Sequence, residues 1–272
     1  MMDEVINAAV LRVVQSMQEN LGEQLTIDDM ARTAMFSKFH FSRVFQRVTG
    51  LSPGRFLSAV RLREAKRLLS STSLTVTDIS HRVGYSSVGT FSSRFTGSVG
   101  VSPTRYRQLH SVRPAVSVPA PTGTATVLGR ISSPLRGTPV FAGLFPDRIL
   151  EGWPVSYTFV RESGPFVLEN VPEGRWHLLA HAVAEGHEDA LNLPATGDEA
   201  LCVGRLGPIT VHRDTETLHA EVPLRPMTPF DPPVLLALRE LLAAEHGVDE
   251  SPAPRTPAPI PAQRRAALAV SR

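Results

Sequence analysis

The spacing of apolar residues changes period near residue 110. Before it, helical spacing dominates. Over Asp3 to Asn20 the residues Val5, Ile6, Ala9, Val10, Val13, Val14 and Met17 share one helical face, which predicts an amphipathic helix ending near Gly22. Two segments of one grammar follow, LTIDDMARTAMFSKFHFSRVFQRVTGLSP from Leu25 to Pro53 and LTVTDISHRVGYSSVGTFSSRFTGSVGVSP from Leu74 to Pro103. Each opens on an apolar residue and a capping Thr or Asp and continues as a short helix. It then breaks at a small residue and restarts at Ser with Phe spaced for one buried face. Each is therefore predicted to be a helix-turn-helix. Between them, Pro53 to Ser70 predicts a connector helix with Phe56, Val60, Leu62, Ala65, Leu68 and Leu69 inward and Arg55, Arg61, Arg63, Lys66 and Arg67 around the rest.

Past Tyr106 the pattern breaks. The run from Arg113 to Ala125 is rich in Pro and small residues and marks a linker. Beyond it, alternation predicts strands at Ala125 to Ile131, Val140 to Phe145, Pro154 to Val160, Gly164 to Leu168, Arg175 to Val183 and Leu218 to Leu224. Short strands without intervening helices favour a β-sandwich. DPPVLLALRELLAAEHG from Asp231 predicts one helix, with an Asp cap, early Pro and a Gly stop at Gly247, its leucines placed to dock on the sandwich. The expected organisation is a multidomain chain: an all-α double helix-turn-helix domain at 1–110, a Pro-rich linker at 111–124, a mainly-β sandwich with one C-terminal helix at 125–247, and a disordered tail at 248–272.

Charge sharpens this division. The formal net charge of the 272 residues is +2. Residues 1–110 carry 14 Lys and Arg against 8 Asp and Glu, whereas 111–249 carry 10 against 17. A basic front and an acidic body point to a polyanion partner for the first unit only. The single cysteine, Cys202, cannot form an intramolecular disulfide, no secretory pattern opens the chain, and no apolar run approaches a membrane span. A cytoplasmic protein with no membrane partner is expected.

In the first helix-turn-helix, Ser37 is the cap of the second helix, and Phe36, Phe41, Val44, Phe45 and Val48 form its inward face. Lys38, Phe39, Ser42, Arg43, Gln46 and Arg47 then face outward. Arg43 suits the edge of a guanine and Phe39 the methyl of a thymine; Ser42 suits either base type, and Lys38 and Arg47 suit phosphates. In the second, Tyr85, Phe91, Phe95 and Val99 pack, leaving Ser87, Val88, Gly89, Thr90, Ser92, Ser93 and Arg94 toward DNA. Arg105 and Arg107 are expected on the DNA backbone, and Tyr106 serves equally well there or as a buried staple.

The motifs RVFQRVTGLSPGRFLSAVRLREAKRLLSS, ISHRVGYSSVGTFSSRF and GVSPTRYR, spread over about Met2 to Gln108, resemble the DNA-binding domain of the AraC/XylS family of bacterial transcription regulators. The resemblance implies a homeodomain-like double helix-turn-helix, with Phe39, Ser42 and Arg43 facing the major groove. It also implies double-stranded DNA as partner, and activation by recruiting RNA polymerase. Two recognition helices about 34 Å apart would enter successive major grooves. Family members commonly carry Arg where this chain has Ser93, and a basic pair where it has Thr96 and Gly97. The first helix-turn-helix is therefore expected to carry most base specificity.

Most of the family places its sensing domain before the DNA-binding domain; here the order is reversed. The segments GTPVFAGLF, GWPVSYTFV and GPFVLENVPEGRWHLLAHAV resemble a transthyretin-like or carboxypeptidase-regulatory β-sandwich, with Phe166, Leu168, Val171, Pro172, Gly174 and Trp176 on its motif. Such a unit would sense a small-molecule effector or contact a protein partner. His177 and His181 on one strand face would stand about 13 Å apart, too far to share a metal ion. No cofactor or metal is expected, and Trp153, Tyr157 and Trp176 are expected in the core. Cys202 has no base at recognisable spacing, so an enzyme fused to a DNA reader is disfavoured. A DNA-tethered interaction scaffold remains the alternative.

Overall fold

The computed structural model describes residues 2–109 and 123–237. Seven helices come first: α1 Met2–Glu19, α2 Ile27–Ala34, α3 Lys38–Thr49, α4 Pro53–Ser71, α5 Val76–Arg82, α6 Val88–Val99 and α7 Pro103–Gln108. The repeat read from the sequence is reproduced in the caps. Thr26 and Asp29 form a capping box at α2, and Thr75 and Asp78 form the same box at α5. Ser37 accepts from His40 N and Ser87 from Thr90 N, and Gly50 and Gly100 close α3 and α6 in the left-handed conformation. The turn between helices differs. Gly84 takes φ +83° in the second repeat, but the matching residue of the first is Met35 at φ +58°, not the expected small residue.

All seven helices share one core. Val13, Val14 and Met17 of α1 pack with Phe41 and Phe45 of α3, Phe56 and Leu62 of α4, and Phe91 and Phe95 of α6. Ring pairs link the elements: Phe45 lies 5.4 Å from Phe56, and Phe95 lies 5.7 Å from Tyr106. Tyr106 is thus a buried staple. One core spanning both repeats makes α4 a rigid spacer rather than a tether.

The second unit has eight strands: β1 Ala125–Ser132, β2 Val140–Phe145, β3 Ser156–Val160, β4 Gly164–Val171, β5 Gly174–Val183, β6 Leu201–Val211, β7 Thr217–Pro223 and β8 Arg225–Pro226. They form a three-stranded sheet β4-β1-β7 and a five-stranded sheet β3-β2-β5-β6-β8. Most neighbours are antiparallel, but β1 and β7 run parallel, with Val127 opposite Leu218. Val127, Phe166 and Val222 from the first sheet meet Ala142, Leu178 and Ala180 from the second in a common core. Two layers facing across one core form a sandwich.

Strand β6 was not expected. Its sequence LCVGRLGPITV holds two glycines and a proline, which read as turn signals. In the structure Gly207 and Pro208 fall where the register shifts between Trp176 and Leu178, so they make a bulge inside a continuous strand.

The expected helix from Asp231 also needs correction. Residues 231–237 carry no helix, and the remainder of that segment lies outside the described residues, as do 110–122 and the expected tail at 248–272. The Asp231 carboxylate does not cap a following turn; it accepts from Thr228 N at 2.9 Å and pairs with both terminal nitrogens of Arg225 at 2.7 Å. Val234 to Ala237 instead carry no regular secondary structure and are buried between the two units. Leu235 N and Leu236 N donate to Leu150 O, Ala237 N donates to Val99 O at 3.2 Å, and Leu235 and Ala237 belong to the helical core.

Candidate nucleic-acid interface

The outward face of α3 follows from its cap and its packing. Ser37 fixes the start of the helix, and burial of Phe41, Val44, Phe45 and Thr49 turns the other side to solvent. Lys38, Phe39, Arg43, Gln46 and Arg47 are exposed, and Ser42 is half-buried with its hydroxyl donating to Lys38 O at 2.9 Å. Phe39 is 84% exposed. The expected row on α3 is thus brought onto one face, except that Lys38 also reaches Asp28 Oδ2 at 3.1 Å.

The matching face of α6 carries no free cation. Ser87, Gly89, Thr90 and Ser93 are exposed, and Val88 and Ser92 half-buried. Arg94 is not on that row. It occupies the position that Val44 holds in α3, is half-buried, donates through Nε to Ser58 Oγ at 3.3 Å and lies 3.7 Å from Glu151. The reading of Arg94 as a DNA-facing cation is corrected accordingly: helical phase places it one step off the exposed stripe.

Arg107 is corrected as well. Its Nη2 donates to Leu74 O, which ties α7 to the start of the second repeat, and the side chain is half-buried. Arg105 is exposed on α7. Two cations of α4 are buried: desolvation pushes Arg63 down to about 10, and Lys66 Nζ donates to Val234 O at 3.3 Å.

A charged seam joins the readers to the β unit. Arg55 at the start of α4 pairs with Asp147 and, at 2.6 Å, with Glu151. Burial works against the Arg55 charge, yet the hydrogen bonds it donates to Asp147 and Glu151 outweigh it and hold its pKa above the ordinary value. Glu151 also accepts from Ser98 Oγ at 2.8 Å, and Gly152 N donates to Ser98 O at 2.7 Å. Trp153 covers Gly100, where a Cβ would meet the indole at 3.5 Å. In the sequence Arg55 reads only as an outward cation and Trp153 only as a core residue, and nothing marks Asp147, Glu151 or Ser98, because the partners lie 53 to 96 positions apart and no local spacing signals them.

The described residues contain no cluster of three metal-ligating side chains and no helix long and apolar enough to cross a membrane. His181 is buried against Phe141 with ring centroids 5.3 Å apart. Trp153, Tyr157 and Trp176 all pack against apolar cores.

Paired helix-turn-helices around one connector helix, with a basic row on α3, define a helix-turn-helix DNA-binding protein. A family model described as a helix-turn-helix domain matches residues 30–109. The HTH-type transcriptional activator AarP of Providencia stuartii is 31% identical over 101 residues, which are 37% of this chain and 75% of AarP. The lactose operon transcription activator of Staphylococcus xylosus is 29% identical over 109 residues, 40% of this chain and 39% of that protein. A solved transcriptional regulator with an AraC-type DNA-binding domain, from Chromobacterium violaceum, is 28% identical with a TM-score of 0.37, over 39% of this chain and 94% of that one. The chain belongs to the AraC family of helix-turn-helix transcription regulators. It spans 39% of the length of the lactose operon activator, and the match lies in the helical unit.

Proposed function

We propose that this chain is a sequence-specific transcription activator that reads two successive major grooves with α3 and α6. The exposed row Phe39, Arg43, Gln46 and Arg47 carries this reading. Arg43 offers a two-donor fork to a guanine edge, Phe39 an apolar surface to thymine methyls, and Lys38 and Arg47 charge to phosphates. The shared core holds α6 at a fixed offset from α3. Its exposed hydroxyls and Gly89 supply backbone and apolar contacts, so α3 dominates specificity. Regulation would act through RNA polymerase, as the activators AarP and the lactose operon protein suggest by their names.

The β unit, which we read as a transthyretin-like sandwich, serves as the sensing or partner-binding part. A non-enzymatic role is supported by Cys202, which is buried with its thiol pushed up to about 11 by burial and by Glu199 and Asp198. Selection of preferred duplexes from a random pool by the full-length protein tests the DNA reading. Two half-sites about 10 base pairs apart are expected. A single half-site would overturn the two-groove reading, and an unenriched pool would overturn sequence specificity.

A further inference from the structure

A cavity of about 430 Å³ opens in the β unit beside the seam, within the size range of small-molecule sites. Ile149, Leu150, Leu179 and Val203 give it apolar walls, and Arg148, Arg205 and Arg225 also line it. Arg225 is already neutralised by its two-pronged bond to Asp231. Arg148 and Arg205 form no ion pair among the described residues. Both side chains approach the end of α3: a Cβ on Gly50 would stand 3.2 Å from Arg205 Nη1 and 3.8 Å from Arg148 Cδ. A smaller cavity of about 290 Å³, lined by His177 and Leu206, shares Arg148, Leu179 and Arg205 with the first. Burial and the Arg148 charge hold the His177 imidazole below its ordinary pKa, so it does not add a third charge near neutrality.

Two arginines that line the same cavities and have no ion-pair partner among the described residues offer donor forks matched to a planar carboxylate. The apolar walls offer nothing to an inorganic anion or a polyhydroxylated ligand. We propose that this cavity binds a small carboxylate with an apolar body, its head on Arg148 and Arg205 and its body against Ile149, Leu150 and Leu179, and that occupancy alters DNA reading.

The route to the readers is short. The Ile149–Leu150 wall is bracketed by Asp147 and Glu151, the two carboxylates that hold Arg55. Leu150 O also accepts the amides of Leu235 and Leu236, two residues before Ala237 bonds to the end of α6. Displacing that wall displaces the seam. The consequence for DNA rests on the regulator reading above; the binding itself does not.

Calorimetric titration of the full-length protein with 2-naphthoate, 2-naphthamide, acetate and inorganic phosphate, without DNA, tests the site. Saturable binding of 2-naphthoate is expected. The neutral amide, acetate and phosphate should each bind at least about tenfold more weakly. Arg148→Gln and Arg205→Gln should each weaken 2-naphthoate by about tenfold while leaving the melting midpoint of the unliganded protein in place. Absent binding, equal binding of the amide, equal binding of phosphate, or indifference to both variants would overturn the assignment. Affinity for a selected duplex is then measured with and without saturating 2-naphthoate. A change supports the coupling, and no change with binding intact overturns it. A failure of DNA binding alone leaves the calorimetric result standing.

Discussion

Glu151 of the β unit accepts a hydrogen bond from Ser98 Oγ near the end of α6 at 2.8 Å, while Gly152 N, the next residue, donates to Ser98 O at 2.7 Å. One carboxylate thereby grips the second recognition helix by a side chain and lies beside Arg94 and Arg55, both cations of the basic unit. The acidic body thus takes up positive charge that would otherwise face solvent or DNA.

Glu151→Gln keeps the shape of the contact and removes the charge. Loss of charge-assisted bonds is expected to lower stability by about 1–2 kcal/mol, discounted for the partial exposure of Arg55. Arg94 would then be released. Non-specific DNA affinity should rise and the salt slope steepen by about one phosphate, checked by binding isotherms at several salt concentrations.

The two repeats differ at their turn. Met35 is 76% exposed at φ +58°, a conformation that costs a side-chain residue about 1–2 kcal/mol. Met35→Gly is therefore expected to raise the denaturation midpoint, by up to about 1 kcal/mol of stability after the added chain entropy is counted. Gly84→Ala should do the opposite and more strongly, because its Cβ would stand 2.3 Å from Leu21 O. Chemical denaturation of both variants checks the pair.

Arg43→Ala should remove about 1–3 kcal/mol of preference at one base pair, and Phe39→Ala should relax preference at a thymine step, both without loss of stability because neither side chain is buried. Competition binding against single-base variants of the selected site is the measurement. Uniform weakening on every sequence would make Arg43 a phosphate anchor instead.

Acid should open the seam. Burial alone would raise the Asp147 pKa, but the Arg148 amide and the Arg55 guanidinium outweigh it and hold it below the ordinary value. A carboxylate lowered on folding contributes stability that is full above its unfolded pKa of about 3.9 and is lost as pH falls through the folded value. Asp231, also lowered by Arg225 and Thr228 against the opposing effect of burial, acts in the same direction. Thermal unfolding followed from pH 6 downward should show the midpoint falling in the acid range, with a shallower fall in Asp147→Asn.

The helical unit was legible because its signals are local. Thr26 with Asp29, Thr75 with Asp78, Ser37, Ser87, Gly50 and Gly100 each act within one turn of their own position, and phenylalanines at helical spacing assign the buried face. The α3 row follows from that phase alone. Arg94 did not, because its partners Ser58 and Glu151 lie 36 and 57 positions away along the chain. Strand β6 was hidden for a related reason: Gly207 and Pro208 carry turn chemistry, and only pairing with β5 turns them into a bulge. The segment Val234 to Ala237 carried a helical pattern, yet it lies buried between two units without helix, a tertiary effect that local propensity does not register.

That buried segment changes how the molecule should come apart. Leu235 is completely buried in a core otherwise built from the first 110 residues, with Ile149 and Ala237 beside it. Lys66, in the second half of the connector helix, is buried and donates to Val234 O. Neither unit can therefore lose its fold without uncovering apolar surface on the other, at about 1.5–3 kcal/mol for a residue such as Leu235. Heating should give one cooperative transition, with the reader and the body melting together as a single thermodynamic unit.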